Sequence, residues 1–155
     1  MFDLENVVGV LKAVRGRTVD TVYDLFFTDK RTIAAILIHP SDFNDIYGKT
    51  DLTTLVVGGL PKERAVKMRS LDLTESRRSA FANKTVDEIL ALHRSNFEID
   101  YENIIYVTVK KGLLTKSLEI ALKNPPGKKC NFSLEKGQVT EAEELVQKVL
   151  TGKAK

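Results

Sequence analysis

A chain of 155 residues, 43% of them hydrophobic and 29% charged, can bury roughly 70% of its unfolded surface, so it needs no metal or disulfide to hold a core. Its single cysteine, Cys130, excludes an intrachain disulfide and suits a reducing cytosol. A net charge of +3 is too small to imply a nucleic-acid or membrane partner by itself. The first residues carry Asp3 and Glu5 where a secretory signal would be basic. The longest uncharged runs have about ten residues, against roughly 20 for a spanning helix. The expectation is one cytoplasmic domain over 1–155 with no transmembrane segment.

Val7–Val14 reads as a first strand, with Gly16 in a turn after it. A second strand is expected from about Thr18 to Phe27 and a third from Arg31 to Ile38. The apolar runs Val22–Phe27 and Ile33–Ile38 flank Thr28-Asp29-Lys30-Arg31, a β-hairpin pattern. His39-Pro40 ends the third strand, because proline cannot continue a ladder. The alternation then stops. Residues 41–95 read as a helical insertion, with helices expected near Pro61–Ser70 and Thr74–Ala82. From Leu60 to Lys84, seven Lys and Arg face three acidic residues, a surplus of four that exceeds the net charge of the whole chain. Thr85-Val86-Asp87-Glu88 is a capping box that starts a short helix to about His93.

Strands resume at Asn96–Asp100, Asn103–Lys110, Ser117–Lys123 and Lys129–Glu135. The last three alternate cleanly, with Ile105, Val107 and Val109 expected on the inner face of their strand, as in a sheet with one wet face. Gly112 and Pro125-Pro126-Gly127 mark the turns between them. Thr140-Glu141-Ala142-Glu143 reads as a second capping box. It opens an amphipathic helix with Leu145, Val146, Val149 and Leu150 on one stripe, closed by Gly152.

Three strands, an insertion, four strands and a C-terminal helix resemble the pleckstrin-homology (PH) superfold. The stretches YDLFFTDKRTIAAIL, FEIDYENIIYVTVKKGLLTKSLEIAL and CNFSLEKGQVTEAEELVQKVL are similar to the second hairpin, the later strands and the last strand with its helix in prokaryotic PH-like and GRAM-like families. The resemblance spans about Val7–Ile38 and Asn96–Leu150 and omits the insertion. It implies a mainly β fold: a seven-stranded antiparallel sandwich or barrel with a C-terminal capping helix and a helical insertion between strands three and four. These are scaffold motifs, so they speak to fold more than to activity.

His39, His93 and Cys130 have no metal-ligand spacing, and Cys130 alternates with Phe132 and Leu134 as a small core residue. Gly58-Gly59-Leu60-Pro61-Lys62 lacks the spacing of a phosphate loop, and Pro61 removes an N–H that would cradle phosphate. No catalytic, metal or cofactor pattern emerges. The leading expectation is a non-enzymatic binding or interaction module, self-association included. Its interaction surface would be Val56, Val57, Leu60, Lys62, Arg64 and Lys67 of the insertion. The PH resemblance implies a second reading, in which basic turns bind anionic lipid or phosphate head groups. Lys30 and Arg31 on one turn and Lys110, Lys111 and Lys116 on another are the candidates, and Lys12 with Arg15-Gly16-Arg17 only loosely approaches the usual first-loop pattern. Three or four such cations supply about 3–4 kcal/mol, which is millimolar binding. A third reading is an enzyme with its site under the insertion. Nucleic acid is disfavoured because aromatic stacking platforms are missing beside the basic helix.

Overall fold

The structure, a computed structural model, describes residues 6–16, 21–39, 42 and 72–154. Its strands are β1 (Val7–Arg15), β2 (Val22–Thr28), β3 (Arg31–Ile38), β4 (Phe97–Asp100), β5 (Ile104–Lys111), β6 (Lys116–Leu122) and β7 (Lys129–Ser133). The helical segments are α1 (72–80), α2 (Val86–Ala91) and α3 (Gln138–Val149), with a 3-10 turn at Tyr101–Asn103. All seven strands join one antiparallel sheet in the order β4-β3-β2-β1-β7-β6-β5.

The β2–β3 turn forms where expected. Thr28 organises it: its hydroxyl oxygen accepts from the N–H groups of Lys30 and Arg31 and donates to the Arg31 carbonyl. This local bonding lets a β-branched residue close a tight turn. The Thr85–Glu88 capping box also forms, with both reciprocal bonds at 3.2 Å. The turn before β7 contains a cis Asn124–Pro125 bond and Gly127 at φ 80°.

One core collects side chains from every strand and from α3, including Leu11, Leu25, Phe27, Val107, Ile120, Phe132 and Leu145. The sheet must bend to enclose it. β1 contributes to the bend, since its pairing with β2 shifts register between Val7 and Gly9 and between Leu11 and Val14. Beyond the bend, β1 meets β7 through one residue pair among the described residues, Arg15 with Ser133. The sheet does not close into a barrel. Its edge strands are β4 and β5, and no ladder joins them among the described residues. At the β5 edge, the Val107 N–H donates to the Lys153 carbonyl at 2.8 Å, so the segment after α3 covers part of that edge.

A second core lies on the opposite face of β2 and β3. Ile33, Ala35 and Leu37 pack there against Phe81, Val86 and Ile89. This explains why β3 is buried continuously from Thr32 to Leu37 rather than on alternate residues. The described part of the 41–95 insertion is therefore a helical cover for its own sheet.

Three local expectations change. In β5 a register irregularity between Ile104 and Tyr106 turns Ile105 outward, so Ile104 takes its place in the core while Val107 is buried as expected. The expected wet face of β6 is closed: Glu119 is buried under Tyr106 and Lys110. The Thr140 capping box does not form. The helix starts three residues earlier, with Gly137 as N-cap, and the Gln138 side chain accepts from the Glu135 N–H at 3.0 Å. The helix ends at Val149 with Leu150 as its C-cap, ahead of Gly152. The expected helix at Pro61–Ser70 lies outside the described residues.

Candidate functional site

Among the described residues β1 and β7 share one residue pair, and the two halves of the sheet part beside it. A cleft of about 400 Å³ opens there, lined by Gly16, Thr21, Tyr23, Phe97, Lys128, Lys129, Cys130, Asn131 and Phe132. This volume suits a small organic ligand. Three rings form its inner wall. Tyr23 meets Phe97 and Phe132 edge-on at 5.6 and 6.1 Å, and Phe97 stacks on Phe132 at 6.4 Å. β2, β4 and β7 each contribute one ring, so the wall exists only in the folded sheet. Gly16 packs closely against this wall: a Cβ there would overlap the Thr21 hydroxyl and lie 2.9 Å from the Tyr23 ring.

The cleft also carries polar groups. Burial pushes the Tyr23 hydroxyl above its usual range, against a lowering hydrogen bond with Thr21, so it stays a protonated donor at neutral pH. Burial likewise pushes the Cys130 thiol up, and Lys128 opposes this only in part. That is the reverse of what a nucleophilic thiolate needs. Lys128 and Lys129 stand exposed at the rim and supply positive charge.

A second polar cluster lies where α1 and α2 meet the end of β3. Arg77 bonds both carboxylate oxygens of Asp42, at 2.7 and 3.0 Å, and the Leu37 carbonyl at 2.8 Å. Asp42 also accepts from the His39 N–H at 2.7 Å. The His39 and His93 rings lie 5.6 Å apart, and His93 Nδ1 accepts from the Ser95 N–H at 2.9 Å. Asn96 accepts from the Ile36 N–H at 2.7 Å and donates to the Ile89 carbonyl, tying α2 to β3. The cavity beside this cluster is only about 130 Å³. No group of three His, Cys, Asp or Glu converges among the described residues. The cluster therefore acts as a latch. Burial raises the Asp42 carboxyl pKa, but the bonds from Arg77 and His39 outweigh it and leave the net shift downward.

The latch gives the fold a pH dependence. Burial lowers the His93 pKa, and Arg77, His39 and Arg94 add to this while Asp42 opposes it. A lowered histidine pKa means that the unfolded chain takes up the proton first. The stabilisation is complete above the unfolded value of about 6.5 and declines as pH falls from there toward the folded value. The ceiling is about 1.4 kcal/mol per pH unit, and solvent around the half-buried ring screens the effect well below it. Thermal melts between pH 7.5 and 5.5 should show stability falling in the native protein and a flatter profile in His93→Gln. Parallel profiles would remove His93 from this role.

The sequence-derived basic residues do not converge. The Tyr101 N–H donates to the Lys30 carbonyl at 3.1 Å, which places the Lys30–Arg31 turn near the start of β5. Lys110 and Lys111 end that strand of 8 residues, about 25 Å away at 3.3 Å per residue. Arg31 is held by Glu98 and by Asp87, the latter at 2.6 Å. Lys110 pairs with Glu119 at 3.1 Å and Lys111 with Glu143 at 3.3 Å. Lys110, with Tyr106, holds the Glu119 carboxyl below its usual range, so drawing Lys110 away would leave a buried carboxylate short of a partner. Lys30 is exposed and Lys116 half-buried, and neither forms a salt bridge among the described residues. Val56, Val57, Leu60, Lys62, Arg64 and Lys67 lie outside the described residues.

No protein-family model matches the chain, and comparison with curated proteins and solved structures finds no match either. Among the described residues, no helix is long and apolar enough to cross a membrane. The aromatic cleft was not visible in the sequence, because its three rings are separated by dozens of residues. Its one local signal was Gly16 next to a strand end.

Proposed function

We propose that the chain is a non-enzymatic binding module of the PH-like superfold, working in the cytosol, whose ligand site is the cleft between the two halves of its sheet. The observation that carries this reading is the ring wall of Tyr23, Phe97 and Phe132 facing a cavity of about 400 Å³ with two lysines at its rim. The seven antiparallel strands and the C-terminal helix packed into the common core support the PH-like architecture. Aromatic walls favour a flat apolar body, and Lys128 and Lys129 favour an attached anionic group. The chemical class is thus a small aromatic or amphipathic anion.

Anilinonaphthalene sulfonate has this chemistry and serves as a probe. It should bind the folded protein at one site, with amide shift changes confined to the cleft. K128E/K129E should weaken binding on the order of tenfold, if each exposed charge is worth up to about 1 kcal/mol. Cys130→Trp, which fills the cleft, should abolish it while leaving a cooperative melt. Unchanged affinity in both variants would refute the cleft as the site.

A further inference from the structure

The turn between β5 and β6 carries Leu113 and Leu114, which are 101% and 98% exposed. Turns favour Gly, Asn, Asp and Ser, so two leucines here do nothing for the turn itself. The turn is tight: a Cβ on Gly112 would lie 2.8 Å from the Thr115 carbonyl oxygen. The leucines therefore sit on a constrained tip, flanked by Lys110, Lys111 and Lys116. Elsewhere on the protein, a groove of about 630 Å³ runs between β1 and α3. Gly9, Val10 and Leu145 line its apolar part, and Glu141, Glu143 and Glu144 line its rim together with one cation, Lys148. Gly9 is what allows α3 this close, since a Cβ there would overlap Leu145.

The tip and the groove are complementary: apolar against apolar, with Lys116 of the tip and Glu141 and Glu144 of the groove outside any intrachain ion pair among the described residues. They also lie side by side on one face, because Lys111 and Glu143 of the same chain touch at 3.3 Å. We propose that the partner of the Leu113–Leu114 tip is a second copy of this chain, which receives the tip in its β1–α3 groove and returns its own. A reciprocal exchange uses the same patches on both copies and closes as a two-fold dimer. Two tips and two grooves are then buried at once, which brings the contact toward the area that stable interfaces need. An anionic bilayer is the less favoured occupant. The glutamates of α3 stand beside the tip and would face lipid phosphates, and Lys110 and Lys111 are already engaged by Glu119 and Glu143. The proposal does not depend on the aromatic cleft.

Sedimentation equilibrium should show a concentration-dependent dimer. L113A/L114A should weaken association on the order of 100-fold, about tenfold for each leucine removed from an apolar site. These side chains are fully exposed in the single chain, so its melting should not change. K111E/K116E and E141K/E143K/E144K should each be monomeric alone, and their equimolar mixture should dimerise, because both tip-to-groove contacts are then restored. A monomer at every concentration would overturn the proposal, as would a leucine variant that dimerises as tightly as the native chain. Retention of a monomeric chain on phosphatidylserine vesicles, lost in L113A/L114A, would overturn it in favour of a membrane surface.

Discussion

Arg78→Ala is expected to destabilise the protein by about 3–5 kcal/mol, the usual consequence of removing one partner from a buried ion pair. Asp24 is 1% exposed, and its two oxygens accept from Arg78 at 2.8 and 2.9 Å. The pair holds the Arg78 guanidinium in its charged form, the bonds it donates to Asp24 outweighing its partial burial. Asp24 also accepts from the Ala13 N–H at 2.9 Å. Ala13 sits at φ 54°, a left-handed conformation in the β1 bulge that costs an L-residue about 1–2 kcal/mol. One carboxylate thus stabilises the bend of the sheet and the docking of α1 together. Without Arg78 this buried carboxylate is left short of a partner. Urea denaturation measures the loss. Adding Asp24→Asn should recover much of it, because the buried charge is gone while an amide oxygen can still accept from Ala13. A double variant no more stable than Arg78→Ala would show that the cost lies elsewhere than in the stranded carboxylate.

Phe81→Ala should cost a similar amount, about 3–5 kcal/mol, as for other large aromatic truncations in cores. Phe81 is 8% exposed and meets Phe26 edge-on at 5.5 Å. With Val86 and Ile89 it covers Ile33, Ala35 and Leu37 on the outer face of β3. Losing the ring should loosen α1 and α2 before the inner core, so amide exchange should rise first in α2 and in α1. Uniform exchange across both cores would mean that the helices and the sheet unfold as one unit. A loss below about 1 kcal/mol would mean that Phe81 does not anchor the cover.

These variants also test how the basic residues of the insertion are understood. In the sequence, Arg77 and Arg78 belong to a positive surplus that invites a reading as a surface for an anionic partner. In the fold, one grips Asp42 and the other grips Asp24. Their partners lie 35 and 54 residues away, and no spacing rule connects positions so far apart. The same applies to Arg31, a sequence candidate for binding an anionic head group, which is held by Asp87 and Glu98. The leucine tip is a different case. A Leu-Leu pair between Gly112 and Thr115, inside a lysine-flanked turn, was legible as a breach of turn chemistry without any coordinates.

What the sequence determined by itself was local: strand and turn positions, the Thr85–Glu88 cap and the apolar stripe of α3. Period-two alternation, capping bonds and the 3.6-residue repeat act over a few residues, so they can be read from a short window. Local patterning misplaced the start of α3 and the facing of Ile105, because a long-range core and a register shift decided those two. Only the tertiary structure decided that the sheet stays open, that α1 and α2 close its outer face, and that three distant rings line one cleft. These features depend on which side chains meet across dozens of residues. Such meetings are settled by packing and by partners for buried charge, and no single stretch of chain carries that information.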